Sequence, residues 1–386
     1  MSEPFISYGR QWINDDDLAA VADVLKSDWL TQGPAIERFE ATLTALTGAQ
    51  TAVAVCNATA ALHIACLALD VGSGDLVWTS PNSFVASANC ALYCGADVDF
   101  VDIDPISFNM SAASLAAKLE EAERAGRLPK VVIPVHFAGQ SCDMLAIHAL
   151  GQRYGFKIIE DASHGVGGLY HNRAIGSCAH SDIAVFSFHP VKIITTGEGG
   201  AAMTNDPALA EKLRLYRSHG VTREEHLMQG ESHGPWYYQQ VALGLNYRMT
   251  DIQAALGASQ MTRIAEFVDL RHAVADQYDA KLAALPVRAP VREAQGRSAL
   301  HLYVVQLDDA TRRADVFSAM RHANIGVNVH YIPIHLQPYY MARGFKPGDF
   351  PAAEDYYTRA ISIPMHPQLS EADIDRVVAT LGAALA

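Results

Sequence analysis

Apolar, β-rich runs alternate with helix-forming runs through the first two-thirds of the chain, and this alternation constrains the fold more than any other feature of the sequence. Thr51-Ala52-Val53-Ala54-Val55 reads as a strand and Ala60 to Leu69 as a helix. Asp97 to Ile103 reads as a strand, and Ala112 to Ala125 as an amphipathic helix rich in Ala, Glu and Lys. Val131 to Val135, Phe156 to Asp161 and Ile183 to Phe188 read as further strands, with Met144 to Tyr154 as a helix between the first two. Strands that alternate with helices imply right-handed crossovers and a mostly parallel sheet, so the class is α/β. Thr250 to Leu285 reads as a long helical passage out of a large domain, stopped by Pro286. Beyond it, Leu302 to Leu307 (strand), Ala314 to Ala323 (helix) and Ser370 to Ala386 (helix) form a small α+β domain. The expected division is 1–255 and 256–386. With 386 residues, half of them hydrophobic, the chain can fill two cores.

In such a sheet, ligands bind beyond the carboxyl ends of the strands. Two chemically capable residues fall there. Lys192 lies in Phe186-Ser187-Phe188-His189-Pro190-Val191-Lys192-Ile193-Ile194-Thr195-Thr196-Gly197-Glu198-Gly199-Gly200, on a loop just past a strand. The glycines allow tight turns there. Taken alone, Lys192 reads as a surface lysine snorkelling from a loop; desolvated, its amine turns neutral and attacks carbonyls. Asp161 ends another strand and is followed by Ala162-Ser163-His164-Gly165. An amine and a carboxylate facing one crevice are what pyridoxal phosphate requires: one holds its aldehyde, the other keeps its pyridine nitrogen protonated. Asp161 also reads as a helix N-cap. His164 reads either as a group orienting Asp161 or as a core histidine.

A third signal is a phosphate cradle. Cys56-Asn57-Ala58-Thr59 forms the turn between the first strand and its helix, where free N–H groups and the positive end of the helix dipole suit a phosphate dianion. Ser187 adds a hydroxyl from the lysine loop. Phe84, after Ser80-Pro81-Asn82-Ser83, offers an aromatic face for the pyridine ring or fills the core.

These motifs together resemble the DegT/StrS sugar aminotransferases over nearly the whole chain. The likeness runs from Leu30-Thr31-Gln32-Gly33-Pro34 through Asn57-Ala58-Thr59-Ala60-Ala61-Leu62-His63, Glu160-Asp161-Ala162-Ser163-His164 and the lysine loop, and on to Gly244-Leu245-Asn246-Tyr247-Arg248-Met249-Thr250-Asp251. It implies the fold-type I pyridoxal-phosphate architecture. It also implies that Lys192 is the Schiff-base lysine, Asp161 the pyridinium partner, Phe84 the ring stacker and His164 a cofactor contact. Ala58, Thr59 and Ser187 would bind the phosphate, joined by Asn246 across a homodimer. Within the family the chain is similar to the branch serving pseudaminic acid biosynthesis, on Tyr8-Gly9-Arg10-Gln11, Arg217 to Arg223, Trp236-Tyr237-Tyr238 and Val327 to Pro333. That likeness implies an amino group passed from an amino acid, glutamate, to C4 of a UDP-linked 4-keto-6-deoxy-N-acetylhexosamine. The alternative is another nucleotide-linked keto sugar. Tyr8, Leu30, Thr31, Gln32, Gly33, Asn328, Val329, His330 and Tyr331 are then the expected sugar-nucleotide contacts. A histidine in place of Lys192 would have implied a sugar dehydratase instead.

Net charge is −13, so no global basic field draws nucleic acid or an anionic membrane. An acidic chain must concentrate positive potential at helix N-termini and a few basic residues to hold phosphates. Six cysteines without a CxxC read as free thiols. The opening Met1-Ser2-Glu3-Pro4-Phe5 lacks the basic and apolar regions of a secretion signal, and no apolar run reaches membrane-spanning length. A cytoplasmic location is expected. His330 and His335 straddle Pro333 and so cannot share a helical turn; no metal is expected.

Overall fold

The computed structural model describes residues 3–386; Met1 and Ser2, which begin the stretch read for a secretion signal, lie outside the described residues. A seven-stranded sheet runs in the spatial order Thr51–Val55, Gly200–Thr204, Ile183–Ser187, Lys157–Asp161, Val131–Ile133, Leu76–Thr79, Asp97–Phe100. Only Gly200–Thr204 runs against the others, pairing antiparallel with both neighbours. The expected mostly parallel sheet is present.

Alternate residues of each strand enter different cores, as strand geometry requires. Val53, Val55, Ile183 and Val185 pack with the helices Ala58–Ala68 and Ala86–Tyr93 on one face. Ala52, Ala54, Ala184, Phe186, Ala201 and Met203 pack on the other, against Phe39 and Leu43 of Pro34–Thr47 and Ala254 of Asp251–Met261. With both faces covered, the central strands are continuous apolar runs. Each such fully buried Val or Phe contributes roughly 1.5–3 kcal/mol relative to exposure.

The helical passage expected over 250–285 is two helices, Asp251–Met261 and Ile264–Leu282. Arg263 leaves helical geometry (φ −109°, ψ 9°) at the junction. Its guanidinium pairs there with buried Asp17 and donates to the Trp12 carbonyl at 3.3 Å. The break is thus a tertiary tie with no glycine or proline to announce it. The strand expected over 97–103 stops at Phe100.

Beyond lies an antiparallel sheet of Val287–Arg288, Tyr303–Leu307 and Ala360–Ile363. It packs on Arg313–His322, Glu371–Leu385 and the latter half of Ile264–Leu282. The two cores part company within that long helix: Val268 packs with the large sheet and Val274 with the small one. Ile6 also packs in the small core and bridges to Ile325, so the N-terminal segment crosses back to this unit. Among the described residues, no helix is long and apolar enough to cross a membrane. The six cysteines are free; Cys56 and Cys94 are half-buried and the other four buried.

Candidate active site

Lys192 sits on loop 188–199, which joins the antiparallel neighbours Ile183–Ser187 and Gly200–Thr204. The loop is pinned by Phe188 N–H to the Gly199 carbonyl (2.9 Å) and Thr196 N–H to the Phe188 carbonyl (3.0 Å). Buried Ile193 and Ile194 anchor it. Lys192 is therefore no snorkelling surface residue. Its side chain is part-buried, and Nζ lies 3.3 Å from Nε2 of His301. Burial pulls its pKa from 10.5 down to about 7, against the attraction of Asp161. Close to half of such amines are uncharged at neutral pH.

Asp161 is buried at the end of its strand. Ser87 Oγ donates to its Oδ2 at 2.6 Å, and Ser163 N–H to its Oδ1 at 3.2 Å. No helix follows it, which removes the N-cap reading. His164 is buried and makes no hydrogen bond to Asp161. Its Nδ1 accepts from Ala138 N–H at 3.2 Å, so in the neutral ring the proton sits on Nε2, 3.2 Å from Tyr331 Oη. Burial, then the charge of Lys192, hold His164 well below the usual histidine range. The His164 and His301 rings lie 4.4 Å apart. Phe84 is 60% exposed, so it is not a core residue; its ring centroid is 6.5 Å from that of Tyr331.

The helix Ala58–Ala68 starts at Asn57, whose side chain accepts from Ala60 N–H at 2.8 Å. The N–H groups of Ala58 and Thr59 find no acceptor among the described residues. This turn presses on Gly200, where a Cβ would lie 2.6 Å from Ala58 N and 2.6 Å from Asn57 C. Ser187 pairs with Gly200 across the strands, next to the same cradle. Asn246 is exposed, bridges to Ser218 through its backbone, and caps no turn of its own chain with its side chain.

The expected sugar contacts separate into two groups. Tyr8 and His330 have ring centroids 5.7 Å apart, Asn328 Nδ2 lies 3.3 Å from His330 Nε2, and Tyr331 reaches His164. Val329 sits between them, part-buried, its N–H donating to Asn328 Oδ1 at 2.8 Å. This group adjoins the lysine cluster. Leu30, Thr31, Gln32 and Gly33 are bonded elsewhere: Thr31 bridges to Thr250, the Leu30 carbonyl accepts from Asp251 N–H (3.0 Å), and Gly33 N–H donates to Asp251 Oδ2 (2.8 Å). Gln32 takes a left-handed φ of 56°, uncommon for a residue with a Cβ. Sequence reasoning missed Ser87 and His301. Each reaches its partner from far along the chain, and neither belongs to a recognisable local motif.

A family model for DegT/DnrJ/EryC1/StrS aminotransferases matches residues 11–382. The chain belongs to this family. Its members are pyridoxal-phosphate-dependent sugar aminotransferases of fold-type I, and this chain is an enzyme of that class. The Bacillus subtilis spore coat polysaccharide biosynthesis protein SpsC is 39% identical over 97% of this chain and 95% of its own length. Among solved structures, Helicobacter pylori PseC, an aminotransferase of pseudaminic acid biosynthesis, superposes with a TM-score of 0.90 at 29% identity, covering 99% of both chains. Streptococcus pneumoniae Spr1654 in its pyridoxal-phosphate form superposes with a TM-score of 0.88 at 27% identity over 100% of this chain and 98% of its own. The family cofactor fits the residues present. Two N–H groups without an acceptor among the described residues lie at a turn that a Cβ on Gly200 would crowd, a buried carboxylate ends one strand, and a lysine pulled toward neutrality lies on the loop after its neighbour.

Proposed function

We propose that this enzyme transfers an amino group from glutamate to C4 of a UDP-linked 4-keto-6-deoxy-N-acetylhexosamine, in the making of a pseudaminic-acid-type sugar. The observation that carries the chemistry is Lys192, an amine poised near neutrality at a strand end beside buried Asp161. The near-complete superposition on PseC supports the choice of sugar.

Pyridoxal phosphate, when bound, supplies an aldehyde to hold the amine and a ring to store the electrons released at the donor's α-carbon. Lys192 Nζ would hold the aldehyde and, as a base, would carry the proton of the donor's α-carbon. A pKa of about 7 leaves it able both to accept and to return that proton at the sugar's C4. Asp161 keeps the ring nitrogen protonated. Phe84 would stack on the ring, and His164 would contact the cofactor. Ala58 and Thr59 N–H, Ser187 and Asn246 of the partner subunit bind the phosphate. Tyr8, Leu30, Thr31, Gln32, Gly33, Asn328, Val329, His330 and Tyr331 take the sugar nucleotide.

This reading includes a cytoplasmic homodimer. Exposed Trp236, Tyr238 and Leu243, close in sequence to Asn246, support an interface there. It also keeps the division at 1–255 and 256–386: two separate cores support two units, although the cores change over between Val268 and Val274. One observation favours a second reading. SpsC shares more identity than PseC and is named for polysaccharide rather than pseudaminic acid biosynthesis, which supports another nucleotide-linked keto sugar. Assay of UDP-, GDP- and dTDP-linked 4-keto sugars with glutamate separates the two. The first reading predicts kcat/KM highest for the UDP-linked N-acetylhexosamine; preference for a GDP- or dTDP-linked sugar by tenfold or more supports the second.

A further inference from the structure

Asp161 needs more than its place on a strand to serve as a fixed anion. It is buried, where a bare carboxylate is costly unless hydrogen-bonded. Its Oδ2 receives Ser87 Oγ–H at 2.6 Å, and Ser87 Oγ lies 2.7 Å from Ser83 Oγ. The direction of this chain follows from chemistry. An ionised carboxylate only accepts, so the one Ser87 proton points to Asp161 and Ser87 Oγ must accept from Ser83. Both serines are buried. Ser87 lies on the helix Ala86–Tyr93, and Ser83 precedes Phe84 at its entry. One short segment therefore carries both the exposed aromatic ring and the donors to the carboxylate.

We infer that Ser87 is a positioning residue for Asp161, and that Ser83 orients Ser87, together forming a hydroxyl chain that holds the carboxylate ionised and aimed at the cofactor's ring nitrogen. Hydrogen bonds donated to a carboxylate favour its charged form, and a chain of them polarises cooperatively. Besides Ser163 N–H, which donates to Oδ1 at 3.2 Å, the groups acting on Asp161 are the Lys192 amine and the Tyr331 hydroxyl, both in its electrostatic reach. Neither replaces a lost hydroxyl at Oδ2, since Lys192 is bonded to His301 and Tyr331 to His164.

The inference rests on the pyridoxal-phosphate reading, and the test separates the two. Affinity of the apoenzyme for pyridoxal phosphate is measured by fluorescence titration for wild type, Ser87→Ala, Ser83→Ala, Asp161→Asn and Ser87→Ala/Asp161→Asn. Ser87→Ala is expected to weaken cofactor binding about tenfold, a loss of about 1.4 kcal/mol. Ser83→Ala gives a smaller loss. In the Asp161→Asn background, loss of the Ser87 hydroxyl costs less than about twofold, because the two act through one interaction. A purely structural role for Ser87 gives the same loss in both backgrounds, and overturns the inference. Wild type that binds no pyridoxal phosphate overturns the functional reading itself.

Discussion

Lys192 Nζ lies 3.3 Å from Nε2 of His301, a residue that stands just before the strand Tyr303–Leu307 of the small sheet. The lysine loop belongs to the large sheet, so the reactive amine is held at the junction of the two cores. His301 is neutral there: burial, then the charge of Lys192, keep it well below the usual histidine range. It faces the amine as a neutral ring rather than as a second cation. The environment that shields Lys192 from water is thus completed only when both units are in place.

That burial has a pH signature in the cofactor-free protein. The amine titrates at about 7 when folded and near 10.5 when exposed. Between those values the unfolded chain holds a proton that the folded chain has lost, so this residue makes stability rise with pH across that window. Below about 7 both states are charged, and the penalty for burying the charge is constant. Apo Lys192→Met, which cannot titrate, is expected to lack this increment. Denaturant unfolding of both proteins at intervals from pH 6.5 to 10 checks it; parallel curves would show that Lys192 is not desolvated.

The close approach of the Asn57–Ala58 turn requires a glycine at position 200. Gly200→Ala places a Cβ 2.6 Å from Ala58 N and must displace the helix start. Loss of one charge-assisted hydrogen bond, about 1.5–3 kcal/mol, corresponds to about ten- to a hundredfold weaker cofactor binding. Titration of the apoenzyme with pyridoxal phosphate measures this, and an affinity within twofold of wild type would place the phosphate elsewhere.

The parts legible in the sequence were those specified locally. The strand Thr51–Val55 and the helices Ala112–Ala125 and Met144–Tyr154 carry their own periodicity and appear with the expected bounds. Lys192 and Asp161 were found because strand ends in a parallel sheet gather ligands. Ser87 and His301 were not, because their significance comes from partners 74 and 109 residues away. The break at Arg263 is invisible for the same reason: buried Asp17, 246 residues away, makes it. Phe84 shows the converse. Its sequence offers an aromatic face or a core residue alike, and its exposure in the fold removes the core reading.

The two groups of expected sugar contacts can be tested separately. Tyr331→Ala and Thr31→Ala are each expected to raise the sugar-nucleotide KM about two- to tenfold, the loss of one neutral hydrogen bond. The donor half-reaction with glutamate changes less. Steady-state kinetics with the sugar varied supplies both constants. If KM is unchanged in both variants, the proposed lining is wrong; if only Thr31→Ala is silent, the Asp251-bonded group lies outside the site.

Asn246 is expected to act across a dimer. An inactive Lys192→Ala chain mixed with Asn246→Glu should regain activity on subunit exchange. Half of randomly reassorted dimers are hybrids with one intact site each, so about a quarter of wild-type sites return. Activity equal to the sum of the parents, in a mixture shown to exchange, would place Asn246 in its own chain's site or outside it.

The most direct test of the whole account is spectroscopic and uses two additions. Glutamate added to the purified holoenzyme, without sugar, is expected to replace the visible pyridoxal-phosphate band with the shorter-wavelength pyridoxamine-phosphate band and release one 2-oxoglutarate per site. The UDP-linked 4-keto-6-deoxy-N-acetylhexosamine should then restore the original band and yield the 4-amino sugar, while Lys192→Ala does neither. A holoenzyme whose spectrum is unmoved by glutamate and by other amino acids, or whose pyridoxamine form is not reoxidised by any nucleotide-linked keto sugar, would contradict the account.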